Sequence, residues 1–285
     1  MHEVKKGLVM EGGAMRGLYT AGVTDVLMKY GITFDGAVGV SAGVTFGCNY
    51  KSLQAGRVLR YIMRYGAWPQ FKSWRSFFTT GDLYGVDFCY RQIPEHYDPF
   101  DTASFARNPM KFWCVATDVA TAKPVYHLLK DGKGEDVSWI RASASIPFFA
   151  RPVKIGQRLY FDGGVSDSIP ARFLKEQGYE KNVVILTQPA GYRKEADKLQ
   201  PLIDRLLKKY PAIVRHLHVR HLEYNACLDY IAQEEQKGSL FVFRPTADID
   251  VSALEKDPKR LKAVYQVGVR DAEERILELK EFLAK

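Results

Sequence analysis

The chain has 285 residues, of which 46 % are hydrophobic and 26 % charged, and its formal net charge is +8. Those proportions are ordinary for a soluble protein with a sizeable core, built as one large domain or two small ones. The basic balance points to an anionic partner, nucleic acid or a lipid surface, although mixed-sign charge at this level is also what a solvated surface carries.

No apolar run is long enough to span a bilayer, and the run before Glu11 is only three residues, too short for the apolar region of a secretory signal. The expectation is a soluble, cytoplasmic protein whose contact with any membrane, an anionic one included, is peripheral. Cys48, Cys89, Cys114 and Cys227 are far apart and form no C-x-x-C. Neither a disulfide framework nor a metal site is therefore expected, and Cys48 and Cys114 read as small buried apolar residues. There is no helix-turn-helix, zinc or aromatic RNA-binding motif, so nucleic acid is not an expected partner. No cofactor is called for.

In chain order, residues 7–10 (G-L-V-M) read as a short buried strand ending in the glycine-rich loop 11–17 (E-G-G-A-M-R-G). An apolar-periodic helix follows, with Leu18, Ala21, Val26 and Leu27 inward, and stops at Gly31. Residues 36–40 form a second strand, Ser41 the turn, and a helix runs from Ala42 towards Gln54. Further strands are expected at 112–117, 124–129, 159–161, 183–187 and 240–243, and helices at 137–145, 171–177, 199–209, 212–236 and 259–283. Strands alternating with helices predict an α/β fold with a largely parallel central sheet covered on both faces. With no repeat, low-complexity tract or linker, a single domain over 1–285 is expected. Its motif-bearing core runs from 7 to about 190, and the elaboration over 191–285 covers the sheet and shapes the entrance.

The loop at 11–17 can cradle a phosphate or aim backbone N–H groups at a developing oxyanion. Its glycines fall at Gly12, Gly13 and Gly17, with Ala14 where a dinucleotide fingerprint needs glycine, and no G-K-[ST] follows. The phosphate reading thus fails on spacing. The oxyanion reading fits, because right-handed crossovers bring this loop and the Ser41 turn out at one edge of the sheet. Alone, the loop also reads as a tight turn.

G-V-S-A-G (39–43) has the pattern of a nucleophile elbow, in which side chains at Gly39 and Gly43 would collide with neighbouring backbone. A Ser-Asp-His triad would draw on His216, His218 or His221. However, only one strand precedes the elbow, and these histidines lie among arginines in a helix. The better candidate base is Asp162 in L-Y-F-D-G-G-V (159–165), which ends a buried strand and precedes Gly163 and Gly164. An exposed carboxylate is a poor base, so the scheme needs desolvation and short contact. D-G-G alone is also an ordinary turn.

In order and spacing, E-G-G-A-M-R-G, G-V-S-A-G, A-S-A-S-I-P (142–147) and F-D-G-G resemble the patatin-like phospholipase family, in particular its bacterial uncharacterised branch. The resemblance spans residues 7 to about 190. It implies a three-layer α/β/α sandwich and a Ser-Asp dyad, with Ser41 as nucleophile and Asp162 as base. It also implies an oxyanion hole at Gly12, Gly13, Ala14 and Arg16, supported by Gly17, Gly39, Gly43, Gly163 and Gly164, with Gly12, Gly13, Arg16 and Gly17 matching the family's loop. Glu11 and Ala14 depart from the family's D-G-G-G, and Ala14 can serve if it need not adopt positive φ. The implied activity is metal-free hydrolysis of lipid acyl esters through an acyl-serine, as in a phospholipase A, lysophospholipase or esterase. Acyl transfer to another alcohol and a non-catalytic anion-binding protein are the alternatives. The stretch W-P-Q-F-K-S-W-R-S-F-F (68–78) has aromatics at helical spacing beside cations. It reads first as a stripe packed on the core or lining an acyl pocket, and second as a membrane-touching lid.

Overall fold

The computed structural model describes residues 4–247 and 249–285. The first strands and helices are β1 (Lys6–Met10), α1 (Leu18–Lys29), β2 (Gly36–Val40), α2 (Ala42–Lys51), α3 (Arg57–Tyr65), α4 (Trp74–Thr80) and α5 (Thr102–Arg107). The middle holds β3 (Lys111–Asp118), β4 (Pro124–Leu129), α6 (Glu135–Ser143), β5 (Val153–Ile155), β6 (Arg158–Asp162), α7 (Ala171–Glu176) and β7 (Lys181–Ile185). Then come α8 (Gln200–Leu206), α9 (Pro211–Gln236), β8 (Leu240–Phe243), α10 (Pro258–Glu274) and α11 (Ile276–Ala284).

The eight strands form one sheet in the order β5-β6-β3-β2-β1-β7-β8, with β4 beside β3. Neighbours from β3 to β8 run parallel, whereas β4, β6 and β5 are antiparallel additions. β1 and β2 are apolar along most of their length, as strands covered on both faces must be. Leu8 and Met10 pack into a core with Leu18, Val44 and Val264, from α1, α2 and α10. Val9, on the opposite face, packs with Leu174, Tyr224 and Ile231 from α7 and α9. Helices therefore cover both faces of a mostly parallel sheet, as the sequence pattern predicts.

Local departures have identifiable causes. α2 ends at Lys51 because Leu53 takes φ 58. The single helix expected at 259–283 breaks at Arg275, whose Nη1 turns in to donate to the Val242 carbonyl at 2.7 Å. In the aromatic stretch only Trp74 onwards is helical, capped by the Ser73 hydroxyl. Phe71 is buried, but Trp74 is 50 % and Phe78 80 % exposed, so the packed-stripe expectation holds for Phe71 and not for these two.

The C-terminal third is built into the same sheet. β8 extends it beside β7, and α10 lies against α1 so closely that a Cβ at Gly22 would stand 2.3 Å from the Tyr265 carbonyl oxygen. No helix among the described residues is long and apolar enough to cross a membrane.

Candidate active site

Strand pairing alone brings Ser41 and Asp162 together. Val115 of β3 pairs with Val40, and the next residue, Ala116, pairs with Asp162. Both Val115 and Ala116 also pair with β4, so β2 and β6 share the other edge of β3, end to end. Ser41 follows Val40 directly and therefore emerges at the end of β6 where Asp162 sits.

Ser41 takes φ 54, ψ −119 at the start of α2, a backbone conformation costly for a side chain with a Cβ. The turn is tight enough that a Cβ on Gly39 would lie 2.7 Å from the Gly43 carbonyl carbon. One on Gly43 would lie 2.3 Å from the Met10 carbonyl oxygen. The expected steric demand is met by backbone that cannot yield. The Ser41 N–H donates to Ser143 Oγ at 2.9 Å, and the Asp162 N–H donates to the Ser145 carbonyl at 2.9 Å. The segment at 142–147 thus staples the two halves of the site.

Asp162 is buried, and its Oδ1 accepts the Gly164 N–H at 2.7 Å. Burial pushes its carboxyl up to about 6, against the Ser41 hydroxyl, the Gly164 N–H and the Arg220 charge, which all favour the ionised form. Oδ2 is buried without a hydrogen-bond partner among the described residues, so the Ser41 hydroxyl stands close enough to favour the ionised form but beyond hydrogen-bond length.

The glycine-rich loop passes directly over the serine. A Cβ on Gly12 would meet Ser41 Cβ at 3.0 Å, and one on Gly13 would meet Thr187 Oγ1 at 2.6 Å. The same crowding places Gly17 against Ala42, and Gly163 against the Val115 carbonyl. The N–H groups of Gly12 and Gly13 donate to no protein acceptor among the described residues. Ala14 does adopt positive φ, 48°, so the departure from glycine falls where a side chain is strained. Glu11 is buried and ties the loop down: Oε2 accepts the Thr187 N–H and Oε1 the Tyr224 hydroxyl, both at 2.6 Å.

Ser41 lies between two cavities. One, of about 160 Å³, is apolar and lined by residues such as Phe46, Tyr61, Phe71, Ile93 and Ile140. The other, of about 270 Å³, is lined by Arg16, Asp162, Lys194, Arg220 and Tyr224. Ala14, Ser41 and Ile146 border both. His216 and His218 pair instead with Glu223 and Asp204, each at 3.0 Å, and none of the three late histidines lines either cavity. Among the described residues, no cluster of three or more His, Cys, Asp or Glu side chains is placed to hold a metal.

Sequence reasoning singled out 142–147 without giving Ser143 a role, and it missed Thr187, Lys194, Arg220 and Tyr224. The last two stand four apart on α9, one turn of one face, but nothing in a mixed helical sequence marks that face as the one reaching the site.

The profile of the patatin-like phospholipase family matches residues 8–175, more than half of the chain, and the chain belongs to that family. A domain of unknown function (DUF6363) matches residues 210–284, which include α9. The chain is 31 % identical over 275 residues to the uncharacterized protein YjjU of Escherichia coli (strain K12), covering 92 % of this chain and 74 % of that one. It is 24 % identical over 282 residues to the lysophospholipase NTE1 of Debaryomyces hansenii, covering 94 % of this chain but only 18 % of that protein. Among solved structures, VipD from Legionella pneumophila aligns with a TM-score of 0.48 at 11 % identity, over 95 % of this chain and 66 % of that one.

Proposed function

We propose that the protein is a serine lipid acyl hydrolase in which Ser41 is the nucleophile and Asp162 its general base. The observation carrying this reading is the end-to-end placement of β2 and β6 on one edge of β3, which sets a strained serine against a buried, partly desolvated aspartate. A base with its pKa raised to about 6 is far better matched to proton abstraction near neutrality than a solvated carboxylate.

In the proposed course, Ser41 Oγ attacks the ester carbonyl carbon as its proton passes to Asp162. The free N–H groups of the Gly12–Gly13–Ala14 turn receive the oxyanion, and the N-terminus of α2 adds a favourable dipole. Collapse expels the alcohol, which takes the proton from Asp162, and leaves an acyl-serine. Asp162 then accepts a proton from water as that water attacks the acyl carbon. The proton returns to Ser41 Oγ as the fatty acid leaves. The apolar cavity suits the acyl chain, and exposed Trp74 and Phe78 suit contact with a lipid surface.

The test is release of fatty acid from lysophospholipid micelles. Wild type should release it, Ser41→Ala should not, and Asp162→Asn should fall by roughly 10² or more. A folded Ser41→Ala protein with undiminished release would overturn the assignment.

A further inference from the structure

We propose that the cavity on the polar side of Ser41 is a subsite for a phosphate ester, formed by Arg16, Lys194 and Arg220. This rests on the reading of Ser41 as the nucleophile, since it adds the recognition of the group beyond the scissile ester.

The three cations come from three separate segments and converge on one cavity of about 270 Å³. Arg220, on α9, is fixed by Nε donating to the Gly164 carbonyl at 2.5 Å and Nη2 to Ser168 Oγ at 3.3 Å. Its Nη1 has no protein partner among the described residues. Arg16, from the glycine-rich loop, has a buried Nε without a partner. The Lys194 backbone is clasped at both ends by Asn225: its N–H donates to Oδ1 at 2.8 Å and its carbonyl accepts from Nδ2 at 3.0 Å. Burial first, then the charges of Arg220 and Arg16, push the Lys194 ammonium down to about 8. Among the described residues none of the three forms an ion pair.

The carboxyls facing the same cavity do not neutralise it. Glu11 and Asp162 stand against three cations in the cavity lining, so the balance stays positive even with both ionised, and both oxygens of Glu11 are already engaged by Thr187 and Tyr224. The result is a pocket with excess positive charge and unspent donors aimed from several directions. A planar carboxylate would engage two of those directions, whereas a tetrahedral phosphate has oxygens for all three. With an ester carbonyl at Ser41, one molecule can place an acyl chain in the apolar cavity and a phosphate in this one.

The shared chemistry is a phosphate ester, from a lipid head group or from a free small molecule. The experiment titrates full-length Ser41→Ala protein with sn-glycerol 3-phosphate and with lysophosphatidylglycerol micelles by calorimetry, each also in a Lys194→Gln and an Arg220→Gln background. On catalytically intact protein, kcat/KM for lysophosphatidylglycerol is compared with that for neutral monoacylglycerol. Circular dichroism checks the fold, and Lys194→Arg is the rescue.

We expect Lys194→Gln to weaken binding of the phosphate-bearing lipid roughly tenfold and to lower the lysophosphatidylglycerol-to-monoacylglycerol ratio of kcat/KM similarly, with Lys194→Arg restoring most of both. Binding of micelles but not of glycerol phosphate assigns the site to a head group, and comparable binding of both assigns it to free phosphate esters as well. Unchanged affinity in Lys194→Gln, or equal loss on charged and neutral substrates, overturns the subsite while leaving the hydrolase reading intact. Conversely, Lys194-dependent binding in a wild type that cleaves no ester keeps the subsite and sinks the hydrolase reading.

Discussion

Substituting Asp162 by asparagine is expected to stabilise the fold while removing its chemistry. Burial lifts this carboxyl from 3.8 to about 6. At roughly 1.4 kcal/mol per tenfold change in proton affinity, holding it ionised at pH 7.5 opposes folding by about 3 kcal/mol. Asparagine keeps the shape and an oxygen for the Gly164 N–H, and it carries no charge. The sign follows from the direction of the shift. A carboxyl whose folded value is raised favours folding when protonated, so its contribution is fully present below about 3.8 and is lost as pH rises through about 6. Urea unfolding should therefore show Asp162→Asn more stable than wild type by about 2–3 kcal/mol at pH 7.5, with the advantage nearly gone at pH 4. Equal stability at pH 7.5, or an advantage that grows on acidification, would refute the buried-charge argument.

The same carboxyl sets a pH profile: kcat/KM should rise with pH through about 6 as Asp162 ionises, and a flat profile from pH 5 to 8 would remove it as the base. Gly43→Ala forces a Cβ to within 2.3 Å of the Met10 carbonyl oxygen, and should cost about 3 kcal/mol or more and lower the thermal midpoint by several degrees. A variant with native stability would mean the elbow is looser than described. Ala14→Gly relieves a residue at φ 48 and should gain up to about 1 kcal/mol in the same assay, whereas a loss would show that the strain is not there. Replacing Trp74 and Phe78 by serine should lower hydrolysis of vesicle lipid relative to that of a monomeric short-chain ester, and an unchanged ratio would exclude them from lipid contact.

Much of the sheet was legible because buried parallel strands such as 36–40 and 240–243 are short apolar runs bounded by turns, and these two coincide with β2 and β8. The elements missed were those whose sequence is mixed. β5 has three residues, and the wall of the apolar cavity includes a π-helical segment, Phe88–Tyr97, with Pro94 inside it. The glycines of the elbow and loop were readable as steric demands, and backbone contacts do require them bare. What could not be read was convergence over distance. Glu11 meets Tyr224 across 213 positions, and Arg220 meets Gly164 across 56, contacts set by how α9 lies on the sheet. Ala14 was identified as a departure, but whether its φ was positive depended on the path of the loop over Ser41.

The central claim is that Ser41 is activated by Asp162, and covalent labelling by a fluorophosphonate followed by peptide mass spectrometry tests it most directly. Labelling confined to Ser41, absent in Ser41→Ala, slowed by roughly 10² in folded Asp162→Asn, and faster above pH 6 than below it, is the predicted result. Persistent labelling of Ser41→Ala, an undiminished rate in Asp162→Asn, or no labelling of folded wild type with lipid vesicles present would contradict it.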